Sequence, residues 1–71
     1  METLHIEPGT TKIEECEYLF ANYKTVIIPD TVIEIGNGAF CKCIELETVI
    51  IPDSVRIIGK RSFLGCTKLK K

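Results

Sequence analysis

Four cysteines, at positions 16, 41, 43 and 66, are the side chains in this sequence best suited to chemistry. Structural zinc sites usually separate paired thiols by two to four residues and add a second pair of ligands. Here only one residue separates Cys41 from Cys43, and His5 is the only histidine. The spacing therefore predicts no metal site, and no motif indicates a cofactor.

No side chains are spaced for catalysis. His5 has no serine or cysteine nearby with which to form a nucleophilic pair. The Gly36-Asn37-Gly38 run lacks the Lys-Ser/Thr pair that completes a phosphate-binding loop. The sequence therefore predicts a protein without enzymatic activity. Nucleic-acid binding is disfavoured because the net charge is −1 and aromatic residues are not interleaved with basic ones.

The elements that position these residues are set by an internal repeat. The run TVIIPD at residues 25–30 returns at residues 48–53, and residues 25–47 match residues 48–70 at 12 of 23 positions. Most shared positions are apolar, Gly or Pro. A unit of this length cannot bury its own apolar side and must stack on a copy of itself. The sequence therefore predicts a repeat fold whose period, the offset from Thr25 to Thr48, is 23.

Each unit is expected to begin with a short β-strand. Leu46, Val49 and Ile51 should point into the core, and the β-branched residues of this run favour extended backbone. Pro52 then ends the strand because proline has no N–H for a sheet ladder. The same template fits residues 23–29 and, at the amino end, residues 1–8. We therefore expect three strands, with residues 69–71 at most the beginning of a fourth.

The return segment of each unit is expected to hold the turns and the largest core side chains. Pro-Asp-Thr/Ser at residues 29–31 and 52–54 is a turn signal. Gly36 and Gly59 are expected at tight corners. Phe40 and Phe63 recur at one repeat position and are expected to be equivalent buried anchors.

The repeat separates the cysteines into two kinds. Cys43 and Cys66 occupy the same repeat position, which predicts small buried side chains placed by packing. Cys16 and Cys41 have no counterpart, so we expect them to be the thiols that react first. Residues 1–8 lack the basic and apolar regions of a secretory signal, which favours reduced thiols.

This order of residues resembles the BspA-type leucine-rich repeat, in which an Ile-Pro strand end, an Ile-Gly corner, an Ala-Phe pair and a cysteine recur. The positions that carry the resemblance are Pro29, Val32, Ile35, Gly36, Ala39, Phe40, Cys43, Leu46, Val49, Ile51 and Pro52, echoed by Pro52, Val55, Ile58, Gly59, Phe63, Cys66 and Leu69. The resemblance implies an α/β repeat solenoid, right-handed, with a short parallel β-sheet on its concave face. It also implies adhesion or protein recognition without catalysis.

One leucine-rich repeat domain is expected over residues 1–71, with an atypical capping repeat at 1–24, a repeat at 25–47, and a repeat plus the truncated start of the next strand at 48–71. The first repeat fits only in outline. Pro8 falls one residue late, the spacing from Ile13 to Phe20 is seven residues instead of five, and about three residues are missing before the next strand. The charged stretch 12–20 suits a capping unit and is compatible with a helix.

The outward strand positions give the candidate partner-binding surface. The outward columns read Glu2/Lys24/Glu47/Lys70, Thr3/Thr25/Thr48/Lys71 and His5/Ile27/Ile50. The first column alternates in sign. Ile27 and Ile50 either form a small apolar patch typical of interfaces or only raise strand propensity. On the first interpretation, a protein partner of unknown identity contacts His5, Thr25, Ile27, Glu47, Thr48 and Ile50.

Charge is distributed unevenly along the chain. Residues 1–24 and 25–47 each carry −3, whereas residues 48–71 carry +5. This field favours head-to-tail contact between copies, and hence a homo-oligomer, or docking on an anionic surface; alternatively, it only keeps the protein in solution. A fragment of a longer repeat array is a further alternative. The residues of this basic end are Arg56, Lys60, Arg61, Lys68, Lys70 and Lys71.

Composition agrees with one small folded domain, since 45% of the residues are apolar and 27% are charged. No apolar run approaches the ~20 residues that a membrane-spanning helix needs. We expect a cytoplasmic location if the chain is full length, and the cell surface if it is a fragment of a longer family member.

Overall fold

The computed structural model describes residues 3–69, which contain six short β-strands; Met1, Glu2, Lys70 and Lys71 lie outside the described residues. We call residues 3–24 the first unit, residues 25–47 the second and residues 48–69 the third. Each unit contributes two strands. Their bounds are β1 Thr3–His5, β2 Lys12–Ile13, β3 Thr25–Ile27, β4 Glu34–Ile35, β5 Thr48–Ile50 and β6 Ile57–Ile58.

The strands form two parallel three-stranded sheets. The first sheet has the order β1-β3-β5, and its register aligns Thr3 with Thr25 and Thr25 with Thr48. These are the three strands that the sequence predicts. The second sheet, of order β2-β4-β6, aligns Ile13 with Ile35 and Ile35 with its counterpart in β6. This second sheet was not predicted, because each of its strands is only two residues long.

The expected α/β class is wrong for the described residues, because residues 3–69 contain no helix. The stretch 12–20, which is compatible with a helix by sequence, forms strand β2 followed by turns at residues 15–20. Its backbone explains the difference. Cys16 and Phe20 have φ values of 57° and 62°, in the left-handed region, so no right-handed helix can pass through them.

The core lies between the two sheets and is centred on the second unit. Predicted inward residues such as Val26 and Leu46 are completely buried. The second unit contributes most of the core because units cover it on both sides. The buried apolar residues are Ile6, Ile13, Val26, Ile28, Val32, Ile35, Ala39, Phe40, Cys43 and Leu46.

One aromatic ring from each unit stacks in a column through the core. Phe40 lies between Tyr18, with ring centroids 5.3 Å apart, and Phe63, with centroids 5.4 Å apart, and the planes are nearly parallel. Phe63 is only half-buried, so the prediction that it is equivalent to the completely buried Phe40 is wrong; no further unit among the described residues covers its outer face. Phe20 is exposed, so Tyr18, five residues after Ile13, is the true counterpart of Phe40.

The first unit is therefore more regular than its sequence indicates. Thr3 aligns with Thr25 and Thr25 with Thr48, so the first unit is shorter than the second by a single residue. The expected gap of about three residues is thus a gap of one. It lies between Ala21 and the next strand, because the N–H of Ala21 still bonds to the Tyr18 carbonyl as that of Cys43 bonds to the Phe40 carbonyl.

Glycines serve two distinct purposes. Gly36 and Gly59, expected as corners, do not have positive φ. They lie where successive units approach most closely: a Cβ at Gly36 would be 2.7 Å from the Glu15 nitrogen, and one at Gly59 would be 2.5 Å from the Asn37 nitrogen. Any side chain at either position would push the units apart.

The corners themselves form two columns of left-handed residues. One column contains Cys16, Gly38 and Arg61, with φ of 57°, 65° and 60°. The other contains Phe20, Lys42 and Gly65, with φ of 62°, 59° and 79°. The backbone of the turn recurs in every unit although glycine occupies each column only once. The other members hold a conformation that costs L-residues roughly 1–2 kcal/mol each.

Side chains of one unit also donate hydrogen bonds to carbonyls of the unit before it. The Thr31 hydroxyl donates to the Thr10 carbonyl and that of Ser54 to the Val32 carbonyl, each at 2.7 Å. These two hydroxyls belong to the predicted Pro-Asp-Thr/Ser turns. The Ser62 hydroxyl, which is buried, donates to the Gly36 carbonyl at 3.1 Å. We call these side chains back-reaching donors.

The aromatic column predicts unequal losses on truncation. Phe40→Ala should lower the free energy of unfolding by about 3–5 kcal/mol, because the ring is completely buried and stacked on both faces. Phe63→Ala should lower it by less, because Phe63 stacks on one ring only and its site can relax towards solvent. Urea denaturation of both variants gives the two values. A larger loss for Phe63→Ala would contradict the stacking order described above.

The left-handed column predicts a gain from removing one Cβ. Lys42 is exposed, with φ of 59°. Lys42→Gly should raise the free energy of unfolding relative to Lys42→Ala by about 1 kcal/mol, because both variants lose the same charged chain but only glycine is relieved of the strain. The comparison is made by thermal or urea denaturation. Equal stability of the two variants would contradict the left-handed conformation at Lys42.

Candidate interaction surfaces

The outer face of the first sheet contains most of the predicted partner-binding residues. The register aligns Thr25 with Thr48, and His5 with Ile27 and Ile50, as the predicted columns require. Ile50 is exposed and Ile27 is half-buried, so the apolar patch is mainly Ile50. His5 and Thr48 are exposed, whereas Thr25 and Glu47 are half-buried. Two members of the alternating charge column, Glu2 and Lys70, lie outside the described residues.

The basic end is distributed over the surface of the third unit. Arg56, Lys60 and Arg61 are exposed. Lys68 is ion-paired with Glu45 of the second unit, with 3.0 Å between Nζ and Oε1, and the hydrogen bond to Glu45 raises the pKa of Lys68. Lys70 and Lys71 lie outside the described residues. Of the six predicted cations, Arg56, Lys60 and Arg61 are therefore exposed on the described third unit, and Lys68 is the one that is ion-paired.

The core is open at the outer side of the third unit. Ile51 and Ile58 are 40% and 52% exposed, whereas their repeat counterparts in the second unit, Ile28 and Ile35, are 3% and 0% exposed. The same inward positions are thus uncovered once no further unit lies against them. We call this surface the end face; Val49, Val55, Phe63, Cys66 and Leu69 pack against the core beside it.

An unusual apolar residue precedes Ile58 in β6. Ile57 aligns with Glu34 in β4, which in turn aligns with Lys12 in β2. Two units thus place a charge at this outward position and the third unit places an isoleucine, which is 55% exposed. Ile57 was not singled out from the sequence, and the prediction that Ile51 points into the core is wrong, because no further unit among the described residues covers it. The signal that could have found this surface is the substitution of isoleucine for charge within one repeat column.

On the opposite side of the stack the equivalent inward positions are buried. Ile6 and Ile13 of the first unit are buried, although the first unit also has a neighbour on one side only. The first unit also has no back-reaching donor at the positions where the other units have them. By register, Gly9 occupies the position of Thr31, Ala21 that of Cys43, and Glu17 that of Ala39 and hence of Ser62. The two sides of the stack therefore differ: inward isoleucines are buried on the first unit and exposed on the third.

Cys43 is part of the core as predicted, whereas Cys66, also predicted to be buried, only packs against it. Cys43 is buried, and its thiol donates to the Tyr18 carbonyl at 3.2 Å. Cys66 is half-buried, and its thiol donates to the Phe40 carbonyl at 3.1 Å. Burial raises the pKa of Cys43 to about 11 and also raises the pKa of Cys66. Both thiols thus act as neutral back-reaching donors.

Neither a metal site nor a membrane span is apparent in residues 3–69. No group of three or more His, Cys, Asp or Glu side chains there is arranged to hold a metal ion. No helix in this part of the chain has the length and apolar character to cross a membrane.

Comparison with known proteins gives one match. The family model described as "BspA type Leucine rich repeat region (6 copies)" matches residues 1–71. The chain matches no curated protein. It also matches no solved structure.

The buried thiol predicts a pH dependence of stability. The pKa of Cys43 is about 11 in the folded chain and 9.0 in an exposed thiol. The stability that comes from keeping this thiol protonated is fully present below about pH 9. It is lost as the pH rises towards 11, because the thiol of the unfolded chain releases its proton first. The free energy of unfolding should therefore fall over this range.

Substitution at two cysteines separates this effect from other alkaline titrations, including that of Tyr18, whose pKa is also raised by burial. Cys43→Ala should show a smaller decline above about pH 9, whereas Cys41→Ala should keep the full decline. Urea denaturation at a series of pH values measures both. Identical pH profiles for Cys43→Ala and the unaltered protein would contradict a protonated buried thiol.

Proposed function

The chain belongs to the BspA-type leucine-rich repeat family, and from this premise we propose that it is a protein-interaction module that binds a protein partner through the end face of its third unit. Repeats of this family generally mediate protein–protein interaction and are typically non-enzymatic. We further propose that the two sheets are sides of a right-handed solenoid, with the first sheet on the concave side.

The observation that supports this proposal most strongly is the exposure of core positions at one side of the stack. Ile51 and Ile58 are exposed where the equivalent second-unit residues are buried. They lie at β5 and β6, which are edge strands of their sheets, and the outward residue of β6, Ile57, is also exposed. Apolar surface next to unpaired strand edges favours contact with another polypeptide.

Charge indicates the chemistry of the partner. Arg56, Lys60 and Arg61 of the third unit are exposed, so they can surround an apolar contact with positive charge. We therefore propose a partner that brings apolar side chains to the end face and acidic side chains around them. Charge complementarity of this kind raises the association rate and selects among partners.

A second interface is favoured by one specific observation. Ile50 is 52% exposed on the outer face of the first sheet, directly before Ile51 in the chain. A partner that covers the end face can therefore extend over Ile50 to the predicted column residues Ile27 and His5. The basic end could instead bind an anionic polymer or surface, and a further repeat unit could cover the end face in a longer array.

The location of the protein is also a proposal. BspA-type repeats often occur on the cell surface. The exposed thiol of Cys16 favours a reducing compartment, because exposed thiols do not persist in oxidising ones. We propose that the protein is located in the compartment that contains its partner.

Substitution of the end face provides the first test. Ile58→Lys and Ile57→Lys should weaken partner binding about tenfold or more, because each places a charge in the apolar contact. Ile44→Lys is the matched control: Ile44 is 57% exposed, like Ile57 at 55%, but lies in the second unit. Proteins bound by the immobilised chain from native cells are compared by quantitative mass spectrometry across these variants.

A partner lost with Ile58→Lys and retained with Ile44→Lys supports the end face. If binding of the partner is lost only with His5→Ala or Ile50→Lys, the interface lies on the outer face of the first sheet and not on the end face. Circular dichroism of every variant confirms folding first.

Salt dependence tests the alternatives that rest on charge. We expect self-association to be weak and head-to-tail, since the first unit is acidic and the third is basic. Its affinity should fall as salt rises, because screening removes the attraction. Sedimentation equilibrium at low and moderate salt measures this. A strict monomer at low salt would exclude self-association and leave a different protein as the partner.

A further inference from the structure

Cys16 and Cys41 face the same cavity, although they belong to different units. The cavity has a volume of about 260 Å³ and lies outside the core. Cys16 is exposed and Cys41 is half-buried, in contrast to the core thiol Cys43. The other residues that line the cavity are Glu15, Leu19, Asn37, Gly38, Lys60 and Arg61.

Gly38 leaves open the space between the two thiols. A Cβ at Gly38 would lie 3.4 Å from the Cys16 sulfur and 3.9 Å from the Cys41 Cβ. The Cys16 sulfur and the Cys41 Cβ therefore lie on either side of this Cβ position, and the distance between them is at most the sum of the two distances. A disulfide needs Cβ atoms about 3.5–4.5 Å apart. The backbone of the two turns must therefore adjust to bring the Cβ atoms to this separation, and rotation about χ1 then directs the two sulfur atoms towards each other.

The cavity also suits a particular class of reagent. Lys60 and Arg61 outnumber Glu15 in the lining of the cavity, so its wall carries net positive charge, and Leu19 contributes apolar surface. Small peptide thiols such as glutathione carry net negative charge. An anionic disulfide of this class can bind the cations of the cavity while one of its sulfur atoms meets a protein thiol.

We infer that Cys16 and Cys41 form a paired thiol site that exchanges with small anionic disulfides and closes into a Cys16–Cys41 disulfide. One thiolate attacks a sulfur of oxidised glutathione, which forms a mixed disulfide and releases one reduced glutathione. The second protein thiolate attacks the protein sulfur of this mixed disulfide and releases a second reduced glutathione. The two protons lost by the protein are carried by the two released thiols, so the protein is oxidised by two electrons and one glutathione disulfide is reduced.

Peptide mapping tests this pairing directly. Trypsin cleaves after Lys12, Lys24, Lys42 and Arg56, and after the basic residues near the carboxy terminus, so each cysteine falls on its own peptide. After treatment of the folded chain with oxidised glutathione and alkylation of remaining thiols, we expect peptide 13–24 linked to peptide 25–42 as the main product. The intact protein should lose two hydrogen atoms and retain no glutathione.

Matched variants give the opposite product. Cys16→Ser and Cys41→Ser should each retain one glutathione on the remaining cavity thiol, because no second thiol is there to displace it. Cys66→Ser should still form the Cys16–Cys41 link. The closed form should also melt on the order of 10 °C higher than the reduced form, because the bond joins two units across a long loop.

Two results would overturn the inference. One is glutathione on both Cys16 and Cys41 of the same molecule with no link between them. The other is a dominant link that involves Cys43 or joins two molecules. Reduction of the oxidised protein must return the original melting temperature; a rise that persists after reduction would contradict the disulfide as its cause.

Discussion

The close approach of neighbouring units at Gly36 and Gly59 is the constraint on which the stack depends. At each of these positions the amide donates to the preceding unit, Gly36 to the Ile13 carbonyl and Gly59 to the Ile35 carbonyl, both at 2.7 Å. A Cβ there would lie within 2.7 Å of backbone atoms, so no rotamer can relieve the contact. A side chain would separate the units at the second sheet and loosen the aromatic column, whose rings are 5.3 and 5.4 Å apart.

Stacking at this distance makes the units directional. Hydroxyl and thiol donors of one unit reach carbonyls of the unit before it, as Ser54 and Cys66 do. A unit without such donors can begin a stack, and a unit with an uncovered apolar side can receive another chain. The first unit has Gly9 and Ala21 at donor positions, whereas the third exposes Ile58. The candidate interface therefore follows from the same contacts that build the core.

The sequence predicted the first sheet and its inward residues, because the identical runs at 25–30 and 48–53 determine which strand positions are equivalent. It did not predict the second sheet or the left-handed columns. A column that contains Cys16, Gly38 and Arg61 has no shared side-chain chemistry, so only the backbone reveals it. The first unit was misaligned because Phe20 matched the residue type of Phe40. Tyr18 matches its place in the stack.

The candidate site was predicted less well, for a related reason. Sequence periodicity indicates which residues point inward, but whether an inward residue is covered depends on the presence of a neighbouring unit. Ile58 has the sequence pattern of a core residue and the exposure of a surface residue.

The positive charge of the third unit restricts which molecule can cover Ile58. Two copies joined by their third units would bring Arg56, Lys60 and Arg61 together, and a head-to-tail copy would present a first unit that lacks back-reaching donors. Each arrangement of this chain with itself leaves one of two requirements unmet, compatible charge or back-reaching donors, which favours a different protein that supplies both.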